Sequence, residues 1–237
     1  MAASRVALVT GGTRGIGAAI VRRLCADGFS VFLSGRTEGS VREALARCAK
    51  EGLAVRGFAA DARREEDQKR LVESAAREGG RLDVLVNNAG IGHFGPVDQL
   101  DPERFREVLE TNLFGPFYAV RYAAPLMKET GGGFIVNIAS LAAVNAFPGG
   151  AAYNASKFGL LGFSEAAMLD LRHAGVRLAT VLPGSVATDW SHSHGNQDAS
   201  WMLRPEDVAE AVADLVRFPD RAIASRIELR PARPPKK

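Results

Sequence analysis

The feature that most constrains this chain is an alternation. Short apolar runs of strand length are separated, one after another, by amphipathic stretches of helix length. Runs that are apolar at successive positions, rather than at every second one, need cover on both faces of a sheet. Crossover helices between parallel strands supply that cover. Val6 to Val9, Val31 to Leu33, Ala54 to Phe58, Val84 to Val86, Phe134 to Ile138 and Val176 to Leu182 read as six strands, with Ile227 to Leu229 as a candidate seventh. Helices are predicted from about Ile16 to Ala26, Val41 to Lys50, Arg63 to Glu78, Asp101 to Lys128 and Ala151 to Ala174, and a last one opens at Arg204-Pro205. Asp101 before Pro102 is an N-cap followed by proline in the first turn, and Gly175 suits a left-handed stop. Pro116 and Pro125 fall inside the longest helical pattern and are expected to bend or interrupt it. The predicted architecture is α/β: one doubly wound domain over residues 1–237, built on a mainly parallel central sheet of six to seven strands.

Charge and cysteine content narrow the function classes. The net charge of +3 comes from 30 basic and 27 acidic residues spread along the chain, so no basic face points to nucleic acid. The exception is the tail 230–237, basic and proline-rich, which reads as a solvated, disordered end. Cys25 and Cys48 both fall in helical stretches with no Cys-x-x-Cys spacing, which predicts free thiols. His192 and His194 alternate in a polar segment but supply too few ligands for a metal site. No apolar run is long enough to cross a membrane, and the chain does not open on a charged-then-apolar segment; a cytoplasmic protein is expected.

Two groups of residues carry chemistry. Thr10-Gly11-Gly12-Thr13-Arg14-Gly15-Ile16-Gly17 lies between the first strand and the first helix. Glycines there let the backbone turn sharply, and the helix that follows offers free N–H groups and a positive dipole end. Alone, such a turn is equally compatible with a structural role; its place in the first βαβ unit favours a dinucleotide. Tyr153 and Lys157 are four residues apart on a helix and so share a face. A free phenol titrates near pH about 10, and a neighbouring ammonium favours its ionised form, a tuning suited to acid/base work at a carbonyl. The same spacing also describes an aromatic ring packed on a lysine stem. Ser140 ends the fifth strand, at the edge where ligand crevices of open α/β sheets lie.

Taken together, these residues resemble the short-chain dehydrogenase/reductase family. Thr10 to Gly17 matches its coenzyme loop, Asn87-Asn88-Ala89-Gly90 its motif after the fourth strand, and Asn112 the asparagine of its long fourth helix. Ser140, Tyr153 and Lys157 complete its catalytic tetrad, and Pro183-Gly184, Val186 and Thr188 match its segment after the sixth strand. The resemblance implies a Rossmann-type fold and a nicotinamide coenzyme. It implies that Tyr153 gives a proton to a carbonyl oxygen, Ser140 polarises that carbonyl, Lys157 lowers the phenol pKa and bonds the nicotinamide ribose, and Asn112 holds a water linking Lys157 to solvent. It also implies a homotetramer or homodimer formed through the helices at 101–128 and 151–174. The C-terminus, Ile227-Glu228-Leu229-Arg230-Pro231, departs from the Asp-Gly-Gly ending of many members, and the segment between Thr188 and Arg204 is short.

The choice of coenzyme is read at the second strand, which ends Leu33-Ser34-Gly35-Arg36 without an acid at its tip. A carboxylate there would accept from the ribose hydroxyl of NAD and repel the phosphate of NADP. Arg36, with Ser34 and with Arg14 from the loop, instead suits a phosphate, and NADP(H) is expected despite Glu38 nearby. Asp61-Ala62, after the third strand, is similar to the family's adenine-contacting pair. The expected reaction is NADPH-dependent reduction of a small-molecule carbonyl, a 3-oxoacyl thioester or similar ketone. The competing readings are an NAD-dependent alcohol dehydrogenase and a dinucleotide-binding sensor without turnover. His93, Phe94, Phe147, Trp190 and Trp201 are candidates for an apolar substrate wall or for simple loop packing.

Overall fold

A computed structural model of the chain describes residues 4–188 and 199–235. Seven parallel strands form one sheet in the order β3-β2-β1-β4-β5-β6-β7. They are β1 (Val6–Val9), β2 (Ser30–Gly35), β3 (Val55–Ala59), β4 (Val84–Asn87), β5 (Gly133–Ile138), β6 (Val176–Pro183) and β7 (Arg226–Leu229). The helices are α1 (Gly15–Ala26), α2 (Glu38–Lys50), α3 (Glu65–Gly79), α4 (Pro102–Leu109), α5 (Gly115–Glu129), α6 (Ala151–Leu171) and α7 (Pro205–Arg217).

Both faces of the sheet are covered, as the unbroken apolar runs require. Successive strand residues point to opposite faces. Ala7, Val9, Val31, Leu33, Val84 and Val86 therefore pack with α1, α2 and α7 through Ile20, Leu24, Val41, Val208 and Val212. Val6, Leu8, Phe32, Leu85 and Ile135 pack on the other face with α3, α5 and α6 through Leu71, Ala119, Ala123, Met127 and Leu171. Strand order reverses between β1 and β4, and the carboxyl ends of the strands at such a switch point are where open α/β sheets form a ligand crevice.

The predicted long helix at 101–128 is not continuous. α4 and α5 are joined by a π-helical turn at Glu110–Phe114. Pro116 has no N–H to give to the Asn112 carbonyl four residues back. The ladder slips by one, and Gly115 N–H bonds the Glu110 carbonyl instead. Pro125 is carried inside α5 without ending it. At the other end of the chain, β7 forms as the seventh strand, and residues 230–235 continue past it with Pro231 against Gly184. Among the described residues, no helix is long and apolar enough to cross a membrane.

Candidate active site

The glycine loop is fastened to its neighbours before any ligand is considered. Thr10 N–H donates to the Val86 carbonyl at 2.9 Å, and Thr10 Oγ1 accepts from the amides of Asn88 and Ala89 at 3.0 and 3.2 Å. Asn88 Nδ2 returns two bonds, to the Thr10 and Gly11 carbonyls at 3.1 and 3.0 Å. Gly11 has φ +61°. A Cβ on Gly17 would stand 2.2 Å from the Gly11 oxygen, so the first turn of α1 meets the loop only because this residue is glycine. Arg14 is the N-cap of α1 and makes no side-chain cap bond, so the first-turn amides from Gly15 through Ile16 to Gly17 face the crevice uncapped. That donor set suits a pyrophosphate. Thr188 closes over it from the far side: a Cβ on Gly15 would meet its Cγ2 at 3.4 Å.

Around the tip of β2 the predicted residues divide. Arg36 and Arg14 are exposed. Ser34 is buried, and its side chain shares a sheet face with Phe32, away from the loop. Its contribution to the loop is its carbonyl, which accepts from Gly12 N–H at 2.9 Å. Gly35 is the residue turned toward the loop, where a Cβ would be 2.5 Å from Thr13 Cγ2. One contact was not anticipated: Arg47 on α2 reaches back to donate to the Thr13 carbonyl at 2.6 Å. A helix pattern places Arg47 on an exposed face but cannot say which loop lies within its reach.

Asp61 and Ala62 stand at the end of β3, beside the π turn. A Cβ on Gly115 would come within 2.8 Å of the Ala62 carbonyl. Asp61 is already engaged. The Arg63 guanidinium hydrogen-bonded to its carboxylate at 2.6 Å holds its pKa below the usual range, and Arg36 adds a weaker pull in the same direction. Arg63 also bonds Glu107 on α4 at 3.2 Å, and Glu107 meets His93 Nε2 at 3.1 Å. This chain of polar contacts joins the end of β3 to the loop after Gly90.

The tetrad residues converge from four elements. Ser140 follows β5, and its Oγ accepts from Ala142 N–H at 3.1 Å. Tyr153, in the first turn of α6, hydrogen-bonds to Ser140 through its side chain. Lys157 lies one turn further, buried, its Nζ donating to the Ile138 carbonyl at 3.0 Å and standing 5.6 Å from the Tyr153 ring centroid. Burial pulls its pKa down to about 8. Against the expectation that Lys157 lowers the phenol pKa, the largest influence on the Tyr153 hydroxyl is its own burial. The Tyr153 residue is only partly covered, yet desolvation of its hydroxyl raises the pKa and outweighs the opposing bond from Ser140. Both groups are thus driven toward their neutral forms.

Asn112 lies in the π turn and is fully buried. Its Nδ2 donates to the Ile91 carbonyl at 2.8 Å and to Ser156 Oγ at 3.0 Å, and its Oδ1 accepts from Ile91 N–H at 2.9 Å. An amide has two N–H donors, and both are spent. The side chain therefore anchors the loop at residue 91 to α6. Gly90 sits against it, where a Cβ would be 3.3 Å from Asn112 Oδ1 and 3.8 Å from Lys157 Nζ.

A buried ladder below the site also escaped sequence reasoning. Asn87 Nδ2 donates to Asn137 Oδ1, and Asn137 Nδ2 to Ser164 Oγ, both at 2.8 Å, tying β4 and β5 to α6. Polar residues in two adjacent strands were the available signal. Past β6, Gly184 N–H bonds the Leu229 carbonyl at 2.8 Å, and Val186 pairs with Leu203. Pro183 thus ends its strand beside Ser140, whose Oγ is 3.5 Å from the Pro183 carbonyl. Trp190, His192 and His194 lie outside the described residues; Trp201 is half-buried. No group of three His, Cys, Asp or Glu suited to a metal occurs among the described residues.

The sheet order, the glycine loop and the tetrad define a class, and comparison with known proteins agrees. The family model "short chain dehydrogenase" matches residues 5–199, and the chain belongs to that family of oxidoreductases. Among its relatives is human dehydrogenase/reductase SDR family member 4, 37% identical over 190 residues, covering 80% of this chain and 68% of the relative. A sepiapterin reductase of Chlorobaculum tepidum is 33% identical, over 95% of this chain and 96% of its own. Among solved structures, an actinorhodin polyketide ketoreductase variant with NADPH superposes with a TM-score of 0.89 at 33% identity, covering 96% of each chain.

Proposed function

We propose that this protein is an NADPH-dependent carbonyl reductase working in the cytoplasm, with Tyr153 as its proton donor and a 3-oxoacyl thioester or similar ketone as substrate. The observation that carries the reading is the Tyr153 hydroxyl bonded to Ser140 at the carboxyl ends of β5 and β6, with Lys157 buried one turn away. The residues present fit the coenzyme. The uncapped first turn of α1 would take the pyrophosphate, and Arg36 with Arg14 the 2′-phosphate. An ammonium has three donors, and Lys157 spends one on Ile138, so it has donors for ribose hydroxyls. The solved ketoreductase relative with NADPH supports the same choice.

Bound NADPH supplies the hydride. Tyr153 holds a neutral hydroxyl, raised in pKa by burial, and releases its proton to the substrate oxygen as negative charge grows there. Ser140 Oγ accepts from Ala142 N–H, which fixes it beside Tyr153, and its one hydrogen, with Oγ 3.5 Å from the Pro183 carbonyl, would turn to the same oxygen when a substrate binds. Asn112 acts through the loop it anchors. We also propose a homodimer or homotetramer through the helical segments 101–128 and 151–174, where Phe114 in the π turn, Phe117 in α5 and Phe158 and Leu169 in α6 are large apolar side chains at the surface. Tyr153→Phe should cost ~10²–10⁴-fold in turnover with coenzyme binding intact, and most of the turnover surviving would overturn the assignment. Arg36→Ala should lower kcat/KM with NADPH but not with NADH; an unchanged ratio would overturn the reading of β2.

A further inference from the structure

The wall beside Tyr153 is aromatic. The ring centroid of Phe94 is 5.6 Å from that of Tyr153 and 5.9 Å from that of Phe147, so Phe94 links the other two rings in a row that ends at Tyr153. Large apolar rings usually go inside. Yet Phe94 and Phe147 keep 36% and 42% of their surface exposed.

The row is held from behind by backbone ties. Gly95 N–H donates to the Gly149 carbonyl at 2.9 Å, which joins the segment carrying Phe94 to the one carrying Phe147. Ile91 is anchored by Asn112, and His93 by Glu107. The Phe147 ring lies so close over Gly150 that a Cβ there would meet it at 2.6 Å. Rings fixed before a ligand arrives lose little freedom on binding it.

Charge is missing from the same wall. Residues 140–153 include no charged side chain, and residues 88–97 include no Lys, Arg, Asp or Glu; His93 is bonded to Glu107. Neither segment offers a cation to a substrate phosphate or carboxylate.

We propose that the substrate is an uncharged ketone whose carbonyl carries an aromatic or similarly flat group, seated against the Phe94–Phe147 row. Rings gain from offset or edge-on contact in a way that an alkyl chain of equal area does not. The carbonyl carbon takes the hydride and its oxygen the Tyr153 proton, giving a secondary alcohol and NADP⁺. This rests on the carbonyl reduction proposed above and narrows it away from acyl thioesters on long charged carriers.

The test follows NADPH absorbance with matched probes: 1-phenyl-1,2-propanedione, 2,3-hexanedione and the N-acetylcysteamine thioester of acetoacetate. Wild type should prefer the aryl diketone by ~2–10-fold in kcat/KM. Phe94→Leu and Phe147→Leu should move that ratio toward one, chiefly through KM for the aryl probe, with circular dichroism and NADP⁺ binding showing that they fold. An aliphatic or thioester probe used as well as the aryl one by wild type would overturn the substrate class. So would variants that slow all probes equally. Turnover of none, with NADP⁺ still bound, would overturn the carbonyl-reductase reading itself.

Discussion

Lys157→Met should leave the coenzyme-free protein at least as stable as wild type while abolishing turnover. Lys157 is 5% exposed, and burial lowers its pKa from 10.5 to about 8. A displacement of that size corresponds to about 3 kcal/mol of unfavourable free energy in the folded protein at neutral pH. Methionine fills a similar volume without the charge. It forfeits the 3.0 Å bond from a charged donor to the Ile138 carbonyl, a loss of about 1.5–3 kcal/mol. The net gain is about 0–1.5 kcal/mol, at most about 3–6 °C in Tm for a chain of this size. The pH dependence follows from the direction of the shift. Below about pH 8 lysine is protonated in both folded and unfolded chains, and the penalty is present in full. As pH rises from about 8 toward 10.5, the folded protein releases the proton that the unfolded chain keeps, and the penalty fades. Urea unfolding of wild type and variant at about pH 7 and about pH 9.5 measures the gap twice, and other groups titrating in that range cancel in the difference. A variant less stable than wild type at neutral pH, or a gap that does not narrow in alkali, would refute the argument that Lys157 is held at a desolvation cost.

Two further outcomes are expected. Asn112→Ala removes three hydrogen bonds and strands both polar groups of Ile91, so it should lose about 2–5 kcal/mol in urea unfolding, and its activity should fall with the loop rather than through the chemical step alone; a fully stable variant would contradict this. Arg47→Met frees the Thr13 carbonyl and should weaken NADP⁺ and NAD⁺ by a similar factor, about 3–10-fold by calorimetry, whereas a loss confined to NADP⁺ would make Arg47 a phosphate ligand instead of a clamp on the loop.

The sequence by itself determined the layers. Residues such as Val6 to Val9 and Val84 to Val86 are apolar at every position, and only a sheet covered on both faces buries them all. Helix and strand periods are local, so the strands and the helices other than the long one at 101–128 were legible to within a few residues. So were the glycine loop and the Tyr153–Lys157 pair, because three to eight consecutive positions carry their geometry. The tertiary structure decided what depends on distance between remote residues. It broke the helix at 101–128 into two, because Pro116 removes a donor and the Ile91 loop holds Asn112 in place. It turned the Ser34 side chain away from the loop and put Gly35 in its stead, a matter of which face of β2 meets Thr13. It also reversed the balance at Tyr153. A cation four residues away is visible in a sequence, but the desolvation of both groups is a property of everything packed around them, and here burial is the larger effect.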